Sequence, residues 1–259
     1  MKTVILCGGI GTRLREETEY RPKPMVNVGP RPILWHIMKM FAHFGHTEFV
    51  LPLGYKGSII KDYFAHYELM NSDVTIELGK PDGVRLHQSH EESGWKITMA
   101  DTGENTLKGG RIKRVQKYVG SGTFLMTYGD GVANIDLDKL VAYHRSHGRL
   151  ATVTGVNAFA RFGELQVTGE RVTSFREKPQ TLESGLISGG FFVFESGIFD
   201  YLTQEEKCDL EYGALERLAH DGQLMVYRHD GFWFCMDTLR DVEALNKMWN
   251  EGRTPWKIW

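Results

Sequence analysis

Short continuous apolar runs alternate along this chain with stretches in which apolar residues recur every three or four positions. The first kind of pattern predicts buried strands at residues 3–7, 49–53, 123–127 and 151–156. The second predicts helices at 32–44, 58–67, 111–119, 137–147 and 239–250. In the 32–44 helix, Pro32 falls in the first turn, where a missing N–H costs nothing. The 58–67 helix gathers Ile59, Ile60, Tyr63, Phe64 and Tyr67 on one side, and Thr238 stands as a possible N-cap before the last helix. Between 74 and 98 the pattern turns strand-like, with Lys80-Pro81-Asp82-Gly83 as a turn. The order strand, helix, strand, helix predicts an α/β fold: a Rossmann-like, mixed but mostly parallel sheet covered by helices, with β-rich insertions.

Composition narrows this picture. At 259 residues the chain suits one domain, 1–259, with a sizeable core, and no repeat or low-complexity linker divides it. A net charge of −2 argues against nucleic acid as a partner and against a membrane-surface role. No apolar run approaches spanning length and no signal peptide is visible, so a cytoplasmic location is expected. The three cysteines, Cys7, Cys208 and Cys235, lack metal-site spacing, and Cys7 reads as a small core residue. His43/His46, His87/His90 and His144/His147 are each three apart without a convincing carboxylate or cysteine partner, so packing or surface roles are expected of them.

The chemistry begins where the first strand runs into Cys7-Gly8-Gly9-Ile10-Gly11-Thr12-Arg13-Leu14. Glycines permit a sharp turn and close approach to a ligand, and successive exposed N–H groups form a concavity for anions, phosphate above all. The loop lacks the spacing and Lys-Ser/Thr end of a Walker A motif, and Leu14 stands where a dinucleotide fingerprint has its third glycine. Lys23 follows between Pro22 and Pro24, which favour an extended lysine able to reach back over the loop.

Two carboxylates end apolar runs: Asp130 in Tyr128-Gly129-Asp130-Gly131, and Asp237 after Phe232–Met236. Each alone reads as a turn residue. Together, at the carboxyl ends of buried strands, they could share one cation, for which magnesium is the natural choice because it binds one or two carboxylates plus phosphates and water. Glu177-Lys178-Pro179, reached through Val172-Thr173-Ser174-Phe175, offers an acceptor for sugar hydroxyls and a cation for phosphate. Ser188-Gly189-Gly190 then allows backbone to approach a ligand.

In this order the motifs resemble those of the sugar-phosphate nucleotidyltransferases, and most closely the branch that transfers a cytidylyl group to glucose 1-phosphate. The narrower likeness rests on Pro22–Val26, Pro32–Met40, Gly54–Gly57, Asp101–Gly103, Gly109–Arg111, Tyr128–Gly131, Gly189–Val193 and Met236–Asp241, and it covers nearly the whole chain. The resemblance implies a nucleotide-binding core, Mg2+ as cofactor, and CTP and glucose 1-phosphate as partners, giving CDP-glucose for bacterial surface polysaccharide. It also implies a homo-oligomer, a hexamer in the family. Arg13, Lys23 and Lys178 would be catalytic. Leu6, Gly8, Gly9, Gly11, Thr12, Arg13, Lys23, Thr106, Gly110, Arg111, Tyr128 and Gly129 would bind the nucleotide, with Arg111 donating to N3 of cytosine, an acceptor that uracil lacks. Glu177, Lys178, Ser188 and Gly190 would hold the sugar phosphate, and Asp130 and Asp237 the metal. The chain departs from the family at Arg21, where lysine is frequent, and at Ser188, where asparagine commonly precedes Gly-Gly. Rival readings are a uridylyl- or thymidylyltransferase, a nicotinamide-dependent oxidoreductase, disfavoured by Leu14, and a non-catalytic sugar-nucleotide sensor.

Overall fold

The computed structural model describes residues 1–87, 90–157, 164–168, 171–176 and 185–259. Seven strands form the central sheet, numbered here in chain order: β1 Lys2–Leu6, β2 Glu48–Leu53, β3 Lys96–Asp101, β4 Phe124–Tyr128, β5 Ala151–Asn157, β6 Leu186–Phe194 and β7 Leu224–His229. Their order across the sheet is β7-β5-β6-β4-β1-β2-β3. The pairs β1/β2, β2/β3, β1/β4 and β5/β7 are parallel, and β6 runs antiparallel to both β4 and β5. The chain builds outward from β1 through β2 to β3 and then returns to place β4 on the other side of β1. That reversal opens a crevice beyond the carboxyl ends of β1 and β4, where open α/β sheets take their ligands.

Both faces of the sheet are covered, which is why β1 is apolar from Val4 onward. Ile5 and Cys7 pack into one core and Val4 and Leu6 into the other. The first core takes Ile33, Leu34 and Ile37 of α1 (Ile33–His43), Ile60 of α2 (Gly57–Ala65), Leu137 and Leu140 of α4 (Leu137–His147), and Val242 and Leu245 of α5 (Leu239–Asn250). The second takes Ile112 of α3 (Lys108–Arg114) together with Phe199, Leu210 and Leu218. The β-rich insertions are two-stranded: Val74–Ile76 with Val84–Leu86, and Glu164–Thr168 with Arg171–Arg176. Among the described residues no helix is long and apolar enough to cross a membrane.

The expected bounds of α4 and α5 hold to the residue, since both start at a clear polar cap. The Asp136 carboxylate accepts from the Lys139 N–H at 3.0 Å, and the Asp241 carboxylate accepts from the Thr238 N–H at 2.8 Å and its hydroxyl at 2.9 Å. Four expectations are corrected. Pro32 is not in the first turn of α1 but caps it in extended conformation, because Arg31–Pro32 pairs with Asn27–Val28. The expected 58–67 helix stops at Ala65, and Tyr67 opens a separate short helix, Tyr67–Asn71. The expected 111–119 helix is two helices, α3 and Gln116–Val119, and it starts earlier, at Lys108. Gly109 and Gly110 lie inside α3 because a side chain there would strike the Asp209 and Glu205 carbonyl oxygens at 2.8 and 2.5 Å. Lys23, finally, is not extended but opens a 3-10 turn, Lys23–Met25, capped by Pro22, with the Met25 N–H donating to the Pro22 carbonyl at 2.8 Å.

Candidate active site

A cleft of about 910 Å³ opens at the switch point. Its floor is the end of β1 and the glycine loop. Gly11 sits at φ 70°, with Lys23 Cβ and the Thr18 methyl directly beneath the place a side chain would take. The Gly11 carbonyl accepts from the Leu14 N–H and the Thr18 hydroxyl, and the Gly8 carbonyl from the Tyr55 N–H and Arg111. A loop whose carbonyls bond inward can turn amide N–H groups toward an anion.

Local pairing brings the two distant aspartates together. The strand Gly131–Ala133 pairs with Trp233–Cys235, Gly131 lies opposite Cys235, and the Met236 N–H donates to the Asp130 carbonyl at 2.8 Å. Asp130 and Asp237 therefore emerge side by side. The Lys23 ammonium sits between them, 2.7 Å from an oxygen of each, and Arg13 meets the second oxygen of Asp237 at 2.9 Å. Burial alone would pull the Lys23 pKa down, but the Asp130 charge and hydrogen bonds to both carboxylates outweigh it, and the net shift is upward. Lys23 is thus held as a cation.

Ligand atoms of Asp130, Cys235 and Asp237 lie within 4.8 Å of one another. Burial, followed by the two aspartate charges, pushes the Cys235 thiol far up, so it stays protonated and is a poor ligand. The two carboxylates are hard oxygen donors, and this donor set suits a divalent cation of the magnesium kind.

Of the residues expected in the site, Leu6, Gly9, Gly11, Thr12, Arg13, Lys23, Tyr128, Gly129, Asp130, Ser188, Gly190 and Asp237 line the cleft. Gly129 and Gly190 are there for close packing: a side chain at 129 would hit Pro24 and the Leu6 carbonyl, and one at 190 the Tyr128 ring. The Ser188 hydroxyl accepts from the Gly190 N–H at 3.3 Å. Gly8, Thr106, Gly110 and Arg111 stand behind the wall. Arg111 is buried, with its guanidinium donating to the carbonyls of Leu53, Gly8, Gly103 and Glu104 and to the Thr102 hydroxyl. Its donors tie three loops together rather than open into the cleft, and a side chain at Gly8 would overlap it. Thr106 accepts from Arg114 at 2.9 Å. Glu177 and Lys178 lie outside the described residues.

Lys108, Glu211 and Trp233 also line the cleft and were missed from the sequence. The Tyr128 hydroxyl donates to Glu211 at 2.5 Å, Lys108 pairs with the other Glu211 oxygen at 2.7 Å, and Trp233 donates its indole N–H to the Gly189 carbonyl at 2.7 Å. Burial and the Glu211 charge push the Tyr128 phenol far up, so it remains a donor. The basic residue directly before Gly109-Gly110 was a usable signal for Lys108, whereas nothing local marks Glu211.

Residues 2–250 match the family model described as nucleotidyl transferase. The chain belongs to that family. The protein of Bacillus subtilis (strain 168) named probable glucose-1-phosphate cytidylyltransferase is 47% identical over 259 residues, all of both chains. Glucose-1-phosphate cytidylyltransferase of Salmonella typhimurium is 46% identical over 260 residues, again end to end. Among solved structures, UDP-glucose pyrophosphorylase complexed with UDP-glucose superposes with a TM-score of 0.69 at 14% identity, covering 97% of this chain and 99% of that one. This last likeness speaks for the fold alone. The cleft at the β1/β4 reversal gathers Arg13, Lys23, Asp130 and Asp237.

Proposed function

We propose that the protein transfers the cytidylyl group of CTP to α-D-glucose 1-phosphate, forming CDP-glucose and pyrophosphate. The observation that carries this reading is the end-to-end identity of 46–47% to two proteins bearing that activity in their names. The site supplies suitable chemistry. An oxygen of the sugar phosphate attacks the α-phosphorus in line, one P–O bond forms, and the bond to pyrophosphate breaks on the opposite side. A phosphate monoester with a second pKa of about 6 is already largely dianionic at neutral pH, so no strong general base is needed. Catalysis is then positioning and charge neutralisation.

In this reading Gly8 to Gly11 wrap the triphosphate, Thr12 and Arg13 reach its outer oxygens, and Lys23 neutralises charge at the α-phosphate. Asp130 and Asp237 would hold Mg2+, which supplies a Lewis acid and a template for the phosphates. Lys178 would meet the sugar phosphate, with Glu177, Ser188 and Gly190 at the hexose. Arg111 would govern base choice together with Thr106 and Gly110, through the loop carbonyls it holds. The enzyme would work in the cytoplasm as a homo-oligomer, a hexamer by family resemblance, which sedimentation would count.

The test is pyrophosphate release with glucose 1-phosphate and Mg2+, offering CTP, UTP, dTTP, ATP and GTP singly and identifying the product by mass. CTP should be strongly preferred. Turnover with another nucleotide would overturn the base assignment, and none at all would overturn the reaction.

A further inference from the structure

Lys23 occupies the place where a metal would have to sit. The acceptor atoms of Asp130, Cys235 and Asp237 all lie within 4.8 Å of one another, and the ammonium is 2.7 Å from an oxygen of each aspartate. A magnesium ion bonds oxygen at about 2.0–2.1 Å. An ion touching both carboxylates therefore falls in the gap the ammonium fills. The side chain is well placed to hold it there: Lys23 is mostly buried, its Cβ packs beneath Gly11, and its backbone is fixed in the capped turn of Lys23–Met25.

Charge leads to the same conclusion. Among the described residues, Asp130 pairs with Lys23, and Asp237 pairs with both Lys23 and Arg13. A bare divalent cation adds positive charge where two cations already face the carboxylates, and it must expel the ammonium from both of them. A metal–triphosphate complex differs in both respects. It brings net negative charge, and its phosphate oxygens offer the displaced ammonium, with three donors, a new set of acceptors.

We infer that Lys23 acts as an internal counter-ion that keeps free divalent metal out of the Asp130–Asp237 site and admits it only with the nucleoside triphosphate, which draws the ammonium off the carboxylates. Metal and nucleotide are then coupled binders, each tightening the other by the same factor. This rests on Asp130 and Asp237 being the metal ligands, and the experiment separates that premise from the inference.

Mn2+ binding is measured by electron paramagnetic resonance, without nucleotide, on the wild type, on Lys23→Gln and on Lys23→Gln/Asp130→Asn. Lys23→Gln should bind Mn2+ at least about 10-fold tighter than the wild type, and the added Asp130→Asn should abolish the gain. Equal or weaker binding by Lys23→Gln overturns the counter-ion role. A gain that survives Asp130→Asn overturns the metal assignment itself. A wild-type measurement guards against a variant that does not fold. With 15N-labelled lysine, the Lys23 ammonium signal should move on adding Mg2+ with CTP and stay in place with the same concentration of Mg2+ alone. Movement with Mg2+ alone contradicts the inference.

Discussion

Two bases, part-buried Lys23 in the cleft and fully buried His36 among the tryptophans, meet opposite fates. Burial drives both toward the neutral form. For Lys23 the two aspartates reverse the outcome, and the side chain stays charged. For His36 burial prevails, Lys257 and Arg31 add to it against the Val28 hydrogen bond, and the pKa falls to about 4. The ring is then neutral, with Nε2–H donating to the Val28 carbonyl at 2.9 Å and Nδ1 accepting from the Trp256 indole at 3.5 Å. Trp35, Trp249, Trp256 and Trp259 enclose it. One corner uses burial to concentrate charge for chemistry, the other to exclude charge for stability. Partners, not depth, decide which.

The contrast is broken most severely at Lys23. Lys23→Met should lower turnover about 100- to 1000-fold, with the fold retained in circular dichroism. Near-normal pyrophosphate release from that variant would remove Lys23 from the mechanism. At the other corner, Trp256→Ala empties a side chain that is 1% exposed and should cost about 3 kcal/mol in urea denaturation, leaving kcat of the surviving folded enzyme within about twofold. A large kcat loss there would mean that the two regions are not separable.

A pH series sharpens the same comparison. The folded pKa of His36 lies below its unfolded value of 6.5, so the unfolded chain takes up the proton first. Its contribution is complete above 6.5 and is lost as pH falls toward about 4, by about 2 kcal/mol between pH 7 and 5. His36→Gln should remove that part of the slope. A residual slope belongs to His46, also pulled down to about 4 chiefly by burial, and to His144 and His147, both lowered first by burial. An unchanged slope would show that His36 is not the titrating group. The smallest effect is expected at Ser188, whose hydroxyl accepts from the Gly190 N–H. Ser188→Asn should change KM for glucose 1-phosphate about two- to fivefold, within about 1 kcal/mol, and leave KM for CTP alone.

The charged corner was far more legible in the sequence than its surroundings. Gly8–Gly11, Lys23, Asp130 and Asp237 stand in local patterns of glycine, proline and strand ends, and the structure brings their side chains or loops to one cleft. The pairing of Gly131 with Cys235 that joins the aspartates has no local signature. Arg111 carried an ambiguous one: an arginine after two glycines fits base recognition, yet here its donors bind five protein oxygens. Glu211 and Trp233 reach the cleft through long-range packing, and Gly109-Gly110 read as a helix boundary because the backbone contact that requires them is made by residues a hundred positions away. Trp256 proves to be core, buried against Phe232 and against His36 of α1, which lies far from it in the chain.

The most direct test of the central claim is one mass-detected assay of CDP-glucose formed from CTP, glucose 1-phosphate and Mg2+ by the wild type and by Asp237→Asn. The account predicts ready product from the wild type and a loss of about 100-fold or more in the variant. Equal rates from the two proteins, or no CDP-glucose from either, would contradict it.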